Sequence, residues 1–374
     1  MPVALLTPYL AGYRIPLFER LAREHGVEVI LYGGGQRYVP SWIAGDLEAQ
    51  ARAAPFPARH LTGGARGAYA LGRQYDAVIA PYAGGTILPA AYLGARRHRR
   101  GFVLWASVWN EPHSFKHSLA RPMTRRIYRR ADAVVAYGEH VRFFVRGIRE
   151  RDVDVFVAPQ AVEADLFGRT VEPEEIAEFR ARHGLPLDVP LVLYVGRLVP
   201  EKGVDVLLRA WEQVEPGKAK QARLVLIGEG PLARRSAATE RTHLIEPLPR
   251  EQLPVAYASS AFVVLPSVAT RRFVEPWGLV CNEAMHQARP IIATDDVGAV
   301  AGGLVRLGLT GLVVASGDAP ALSVAIERLL DDGDLRARLG RAAHQAVAAF
   351  NYDAMEEAFD RALAIAIRPS PTGP

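Results

Sequence analysis

Two cations and two carboxylates in the second half of the chain have the types and spacing to do chemistry. Arg197 and Lys202 share the loop Gly196-Arg197-Leu198-Val199-Pro200-Glu201-Lys202-Gly203, directly after the apolar run Leu191 to Val195. Gly196 lets the chain turn sharply at the end of that run without a Cβ clash. An arginine presents a planar fork of donors and a lysine a point charge, so together they suit a pyrophosphate. They would also stabilise the negative charge that grows on a departing diphosphate. Standing alone, the same pair would read as solvated loop cations. Glu275 and Glu283 lie in Glu275-Pro276-Trp277-Gly278-Leu279-Val280 and the following Glu283-Ala284-Met285. The bare eight-residue spacing is common and says little. Here, however, Pro276 suits a helix start, and Gly278 with Leu279 opens backbone N–H groups there to a phosphate. Glu283, further along that helix, can accept hydrogen bonds from two ribose hydroxyls, and Glu275 can hold hydroxyls of a sugar. The plainer reading of Glu275 is a first-turn acid favoured by the helix dipole. A third candidate, the run Leu224 to Ile227 followed by Gly228-Glu229-Gly230-Pro231, offers a glycine-rich turn where a base could lie against the backbone. A structural turn explains it equally well. Leu244 to Leu248 ends a further run, with Leu248 able to present backbone groups to the edge of that base.

These residues must be positioned by short apolar runs that alternate with longer amphipathic stretches. Val3 to Leu6, Val27 to Leu31, Ala77 to Ala80, Phe102 to Trp105, Ala133 to Ala136 and Val155 to Val157 read as strands. Pro16 to Glu24 and Ser118 to Arg130 read as helices between them. The pattern then restarts: Leu191 to Val195, Arg223 to Ile227, Thr242 to Glu246, Phe262 to Leu265, Pro290 to Ala293 and Gly311 to Val314 are strands. Val204 to Gln213, Leu279 to Gln287 and Ala319 to Asp331 are their helical partners. Near-continuous apolar strands separated by helices imply parallel sheets covered on both faces. Two such series imply two doubly wound α/β domains. The expected division is 1–165, 166–350 and a C-terminal helix with a frayed tail, 351–374, for which packing back on the first domain is one arrangement. Each constellation above falls at the C-terminal end of a strand, the edge where open α/β sheets bind ligands.

Composition narrows the class. The 374 residues, 49% hydrophobic and 23% charged, suit a folded two-domain protein rather than a disordered one. A single cysteine, Cys281, precludes an internal disulfide and a cysteine-rich metal site, and fits a reducing compartment. The opening run lacks a basic leader and is broken at Arg14, so it reads as a buried strand rather than an export signal. No segment approaches the roughly 20 apolar residues of a spanning helix, so the expectation is a cytoplasmic protein. The net charge of +5 is concentrated at Arg96, Arg97, His98, Arg99 and Arg100 and at Arg121, Arg125, Arg126, Arg129 and Arg130. Such a field attracts phosphorylated groups or an anionic inner membrane surface, or is simply a solvated helix face. Nucleic acid is not expected as a partner, because no recognition motif accompanies the charge.

Taken together, the blocks from Leu191 to about Leu330 resemble the retaining GT-B glycosyltransferases of family 4, the group 1 transferases. They are Gly196-Arg197, Glu201-Lys202-Gly203, Gly228-Glu229-Gly230-Pro231, Glu275 to Val280, Glu283-Ala284-Met285, Pro290 to Ala293 and Gly311 to Val314. The resemblance implies the GT-B fold, two Rossmann-like domains facing across a cleft. It implies that Arg197 and Lys202 bind the donor diphosphate, Glu275 the donor sugar and Glu283 the ribose. In the first half the match is looser. Arg14-Ile-Pro-Leu-Phe18 and Arg129 to Ala136 look like members acting on lipid or polysaccharide acceptors, and Gly12 sits where the family brings backbone close to the diphosphate. Pro159-Gln160-Ala161-Val162-Glu163 departs from the usual Pro-Asn-Gly-Val-Asp. The family histidine near Trp105 is also missing at its usual place; either His113 takes its role through a longer loop, or no residue does.

The function implied is transfer of a sugar from a nucleotide diphosphate sugar, UDP- or GDP-type, to a glycan or lipid-linked acceptor, with retention of configuration. No cofactor or metal is expected, since Arg197 and Lys202 already face the leaving group. Asp152-Val153-Asp154 spells D-x-D but precedes a strand instead of ending one, and Asp331-Asp332-Gly333-Asp334 reads as a helix-end turn. Two alternatives share these residues: a nucleotide-sugar 2-epimerase on the same fold, and a non-catalytic nucleotide-sugar-binding subunit.

Overall fold

The structure is a computed structural model that describes residues 2–33, 46–82, 85–110, 115–150, 153–215, 217, 221–271 and 273–367. It divides into two compact units, Met1–Gln160 with Tyr352–Pro374, and Ala161–Asn351.

The first unit is built on strands β1 (Val3–Thr7), β2 (Val27–Leu31), β3 (Ala58–His60), β4 (Ala77–Pro81), β5 (Gly101–Ala106), β6 (Ala133–Ala136) and β7 (Val155–Val157). They pair in the order β3-β2-β1-β4-β5-β6-β7, every pair parallel. Val3 on β1 stands beside Val27 on one side and Ala77 on the other, so β1 is central and all five of its residues are buried. Its partner helix Ile15–His25 has Pro16 in its first turn and stops at Gly26, whose φ of +60° is the left-handed cap a glycine adopts without penalty. The edge strand β3 carries no sequence signal: its residues Ala58, Arg59 and His60 are all half-exposed and have no apolar run.

The second unit repeats the plan with β8 (Leu191–Val195), β9 (Arg223–Ile227), β10 (Thr242–Ile245), β11 (Phe262–Leu265), β12 (Ile291–Thr294) and β13 (Gly311–Val314). Their order is β10-β9-β8-β11-β12-β13, again parallel throughout. Strand periodicity explains the continuous apolar runs. Leu191 and Leu193 join Val225, Val263 and Ile291 in one core, whereas Val192 and Tyr194 join Leu224, Val264 and Ile292 in another on the opposite face. The helix Val204–Gln213 seals the second core with Trp211, which is fully buried and whose indole N–H donates to the Glu240 carbonyl at 3.2 Å. Burying one such ring contributes about 2–3 kcal/mol. Asp332 both ends the helix Ala319–Asp331 and caps Gly333–Val347, its carboxylate accepting from the Leu335 N–H at 2.8 Å. What reads as a closing turn is therefore also the start of a further helix.

In each sheet the strand order reverses direction beside the first strand of the series, between β1 and β4 and between β8 and β11. Open parallel sheets bind their ligands outside the carboxyl ends of the strands at such a switch point. The arginine clusters of the first unit are partly neutralised within it: Arg96 pairs with Asp132 at 2.9 Å, Arg100 with Asp76 at 2.7 Å and Arg129 with Glu150 at 3.0 Å. Among the described residues no helix is long and apolar enough to cross a membrane.

Candidate functional site

The carboxyl edge of β8 and β11 gathers most of the chemically capable residues of the second unit. The loop after β8 is held down first by backbone hydrogen bonds. Gly196 N–H donates to the Ile227 carbonyl at 3.0 Å and Leu198 N–H to the Glu229 carbonyl at 2.7 Å, which carries the β8–β9 ladder past the strand ends. Three glycines make that approach feasible. A Cβ on Gly228 would lie 1.9 Å from the Gly196 carbonyl oxygen, and one on Gly230 2.5 Å from that of Leu198. Gly203 has a φ of +69°, and its Cβ would fall 1.8 Å from the Pro266 carbonyl oxygen at the end of β11. The loops after β8 and β11 therefore touch, tied further by the Val268 N–H donating to the Glu201 carbonyl at 3.1 Å.

That contact delivers Lys202 to Glu275. The ammonium donates to Glu275 Oε2, and the same oxygen accepts from the Ser267 hydroxyl at 3.0 Å. Ser267, the residue just past β11, is fully buried, and its own carbonyl accepts from the Thr294 hydroxyl of β12. Glu275 is 6% exposed, and its backbone is pinned by a bridge to Val297 and by the Gly298 N–H at 3.0 Å. Lys202 also sits 5.6 Å from the centroid of the Phe273 ring. Arg197 lies on the same loop, 3.9 Å from Glu201, and the Tyr194 hydroxyl fixes its backbone by donating to its carbonyl at 2.7 Å.

Glu283 stands on the helix Val280–His286, whose N-cap is Leu279. Gly278, with φ of +96°, brings the chain into it where a Cβ would strike Leu265 Cδ2 at 2.5 Å. The N–H groups of the first helical turn have no intrahelical acceptor by geometry. Trp277 is anchored beneath by its indole N–H donating to Asn282 Oδ1 at 2.7 Å. The Tyr257 hydroxyl donates to Glu283 Oε2. Burial raises the Glu283 carboxyl above the usual carboxylate range, against the opposing pull of that hydroxyl and of Arg250. Cys281 is buried next to both carboxylates, and its thiol is pushed up by burial first and by Glu275 and Glu283 next, so it stays protonated and inert.

Lys202 and Glu275 are thus brought into contact, with Arg197 on the same loop. Glu283 makes its own pair with Tyr257. Gly196, Gly228 and Gly230 pack loop against loop, and Leu248 packs its side chain on the core beneath. Gly12 opens the 3-10 turn Gly12–Arg14 after β1 in the first unit. His113 and Asp152 lie outside the described residues. Reading the sequence missed Ser267, Thr294 and Tyr257 as site residues. Ser267 had a usable signal, a lone hydroxyl at the end of an apolar strand; Tyr257 had none.

Two parallel doubly wound units with these strand orders make up the GT-B fold. A HepE structure from Anabaena, solved in complex with UDP, superposes with a TM-score of 0.79 at 19% identity, covering 97% of this chain and 100% of that one. Residues 175–346 match the family of glycosyl transferases group 1. A GDP-mannose-dependent alpha-(1-6)-phosphatidylinositol monomannoside mannosyltransferase of Mycolicibacterium smegmatis is 30% identical over 268 residues, 68% of each chain. The chain belongs to the group 1 glycosyltransferase family. A D-inositol 3-phosphate glycosyltransferase of Acidothermus cellulolyticus is 35% identical over 216 residues, 53% of this chain and 45% of that protein. The chain thus matches only about half the length of several such relatives.

Proposed function

We propose that this protein is a retaining glycosyltransferase that needs no metal and takes its sugar from a nucleotide diphosphate donor held by the second unit. The observation that carries this reading is the Lys202–Glu275 pair, buried at the switch point of a parallel sheet with Arg197 on the same loop. The pair is self-neutralising, so a diphosphate that engages Lys202 releases Glu275 to accept hydrogen bonds from the donor sugar. Glu283 holds the ribose hydroxyls, and the backbone at Gly278 and Leu279 faces the phosphates. The bond from the anomeric carbon to the diphosphate oxygen breaks, and the acceptor oxygen bonds to that carbon on the same face. The acceptor proton passes to the departing diphosphate, whose growing charge Arg197 and Lys202 stabilise. The acceptor, a glycan or lipid-linked sugar, is taken by the first unit. Peripheral contact with an anionic membrane is supported by arginine-rich helices that also expose Leu93, Leu119 and Phe143.

Thermal-shift measurements against UDP, GDP, ADP and their sugars, all in EDTA, test the donor site. One nucleotide is expected to raise the midpoint by mass action, and Lys202→Met to lower transfer by about 100-fold or more. No response to any nucleotide would overturn the reading. Conversion of the donor without an acceptor would point to an epimerase instead.

A further inference from the structure

The carboxyl edge of the first sheet holds a second, separate concentration of polar chemistry, centred on Arg14. This residue ends the short turn after β1, and its guanidinium reaches across to β5 and β6. It lies 4.1 Å from the centroid of the Trp105 ring, 5.5 Å from that of Tyr13 and 5.6 Å from that of Tyr137. Its Nη2 donates to the Tyr137 hydroxyl, and its Nε lies 3.4 Å from the Tyr13 hydroxyl. Tyr32, just past β2, lies at the same sheet edge, its N–H donating to the Thr7 carbonyl at the end of β1 at 3.0 Å.

Three features of this cluster point to a ligand. Among the described residues no carboxylate pairs with Arg14, so a half-buried cation is balanced only by phenols and ring faces. A guanidinium has five N–H donors, and two phenol bonds leave the rest to be used. Two more buried donors, the indole N–H of Trp105 and the hydroxyl of Tyr32, have no acceptor among the described residues. Trp105 is 1% exposed, so water does not substitute freely. Burial works against the charged form of Arg14, and the Tyr137 and Tyr13 hydroxyls more than offset it, so the cation persists. Tyr13 and Arg14 follow β1, Tyr32 follows β2 and Tyr137 follows β6, while Trp105 is the penultimate residue of β5, so the cluster gathers at the carboxyl edge of the first sheet. Buried donors and a positive charge with no carboxylate partner at the carboxyl edge of a parallel sheet are complementary to an oxyanion.

We propose that Arg14, with Tyr13, Tyr137 and Trp105, forms an acceptor subsite that binds a phosphate or carboxylate group, so that the acceptor sugar carries a negative charge. This rests on the glycosyltransferase reading above and adds the chemical class of the acceptor.

The test uses the full chain with 15N-labelled arginine side chains. The Arg14 Nε–H resonance is assigned by its loss in Arg14→Lys, and inorganic phosphate, acetate and chloride are titrated at constant ionic strength. A saturable shift of that resonance with phosphate, and not with chloride, is expected for a phosphorylated acceptor; the same with acetate alone identifies a carboxylate-bearing one. No shift with either overturns the subsite. The thermal response of Arg14→Lys and Tyr137→Phe to the nucleotide found above is measured alongside. It should persist in both; its loss would assign Arg14 to the donor diphosphate and overturn the acceptor role. Absence of any nucleotide response in the unsubstituted chain, with the Arg14 shift intact, would instead remove the transferase reading and leave the anion subsite standing.

Discussion

Glu283 shows how a single side chain couples burial to ligand preference. A carboxyl whose pKa is raised by burial keeps its proton in the folded chain where the unfolded chain has lost it. Its contribution to stability therefore declines as pH rises from the ordinary glutamate value of 4.5 to the raised one. Ribose hydroxyls donate best to the carboxylate, so nucleotide binding works in the opposite sense and must draw the proton off. Calorimetric titration of the nucleotide from about pH 7 downward should show affinity falling through that window. In Glu283→Gln the fall should vanish together with most of the affinity. An affinity that stays level in the unsubstituted chain over the same range would mean that Glu283 does not meet the nucleotide. At this scale the residue types were legible: Arg197 and Lys202 share the loop after an apolar run, and Glu275 and Glu283 flank a glycine-marked helix start. Their partners were not, because Lys202 and Glu275 are 73 positions apart and Tyr257 and Glu283 26 apart. No local pattern links them.

At the scale of elements, the loops after β8, β9 and β11 owe their shape to the absence of side chains. Gly203 and Gly303 have similar left-handed backbones, φ of +69° and +82°, but different surroundings. A Cβ on Gly203 meets the Pro266 carbonyl oxygen at 1.8 Å, whereas one on Gly303 meets nothing within 4 Å. Gly303→Ala should cost about 1–2 kcal/mol, the conformational term alone. Gly203→Ala should cost roughly 2–5 kcal/mol, because backbone has to move as well, and should displace Lys202 from Glu275. Urea unfolding of the two variants decides this; equal costs would show that the contact is not what requires glycine there. The elements themselves were mostly readable. Val204–Gln213 and Ala319–Asp331 follow the sequence periodicity residue for residue. Among the strands the exception, β3, is an edge strand with one flank on β2, so its residues need no continuous apolar run.

For the whole molecule, each unit has its own parallel sheet, and the proposed function places the donor at the carboxyl edge of the second. Hydrogen exchange with the stabilising nucleotide should slow the amides of the loop 196–203 and the helix start 278–283. Protection that leaves both segments unchanged and appears only at the first sheet's edge would place the nucleotide in the wrong unit for this reading.

Periodicity and turn chemistry, both local, were enough to show two doubly wound α/β series and the glycines and charged residues at their strand ends. Strand order, and with it which loops meet, depends on packing between segments distant in the chain. Only the tertiary structure could therefore show that Ser267 and Lys202 converge on one oxygen of Glu275. The same holds for Arg14, an ordinary arginine in its own segment. It becomes a half-buried cation ringed by aromatics only because folding sets it over Trp105 and against Tyr137, 123 positions away.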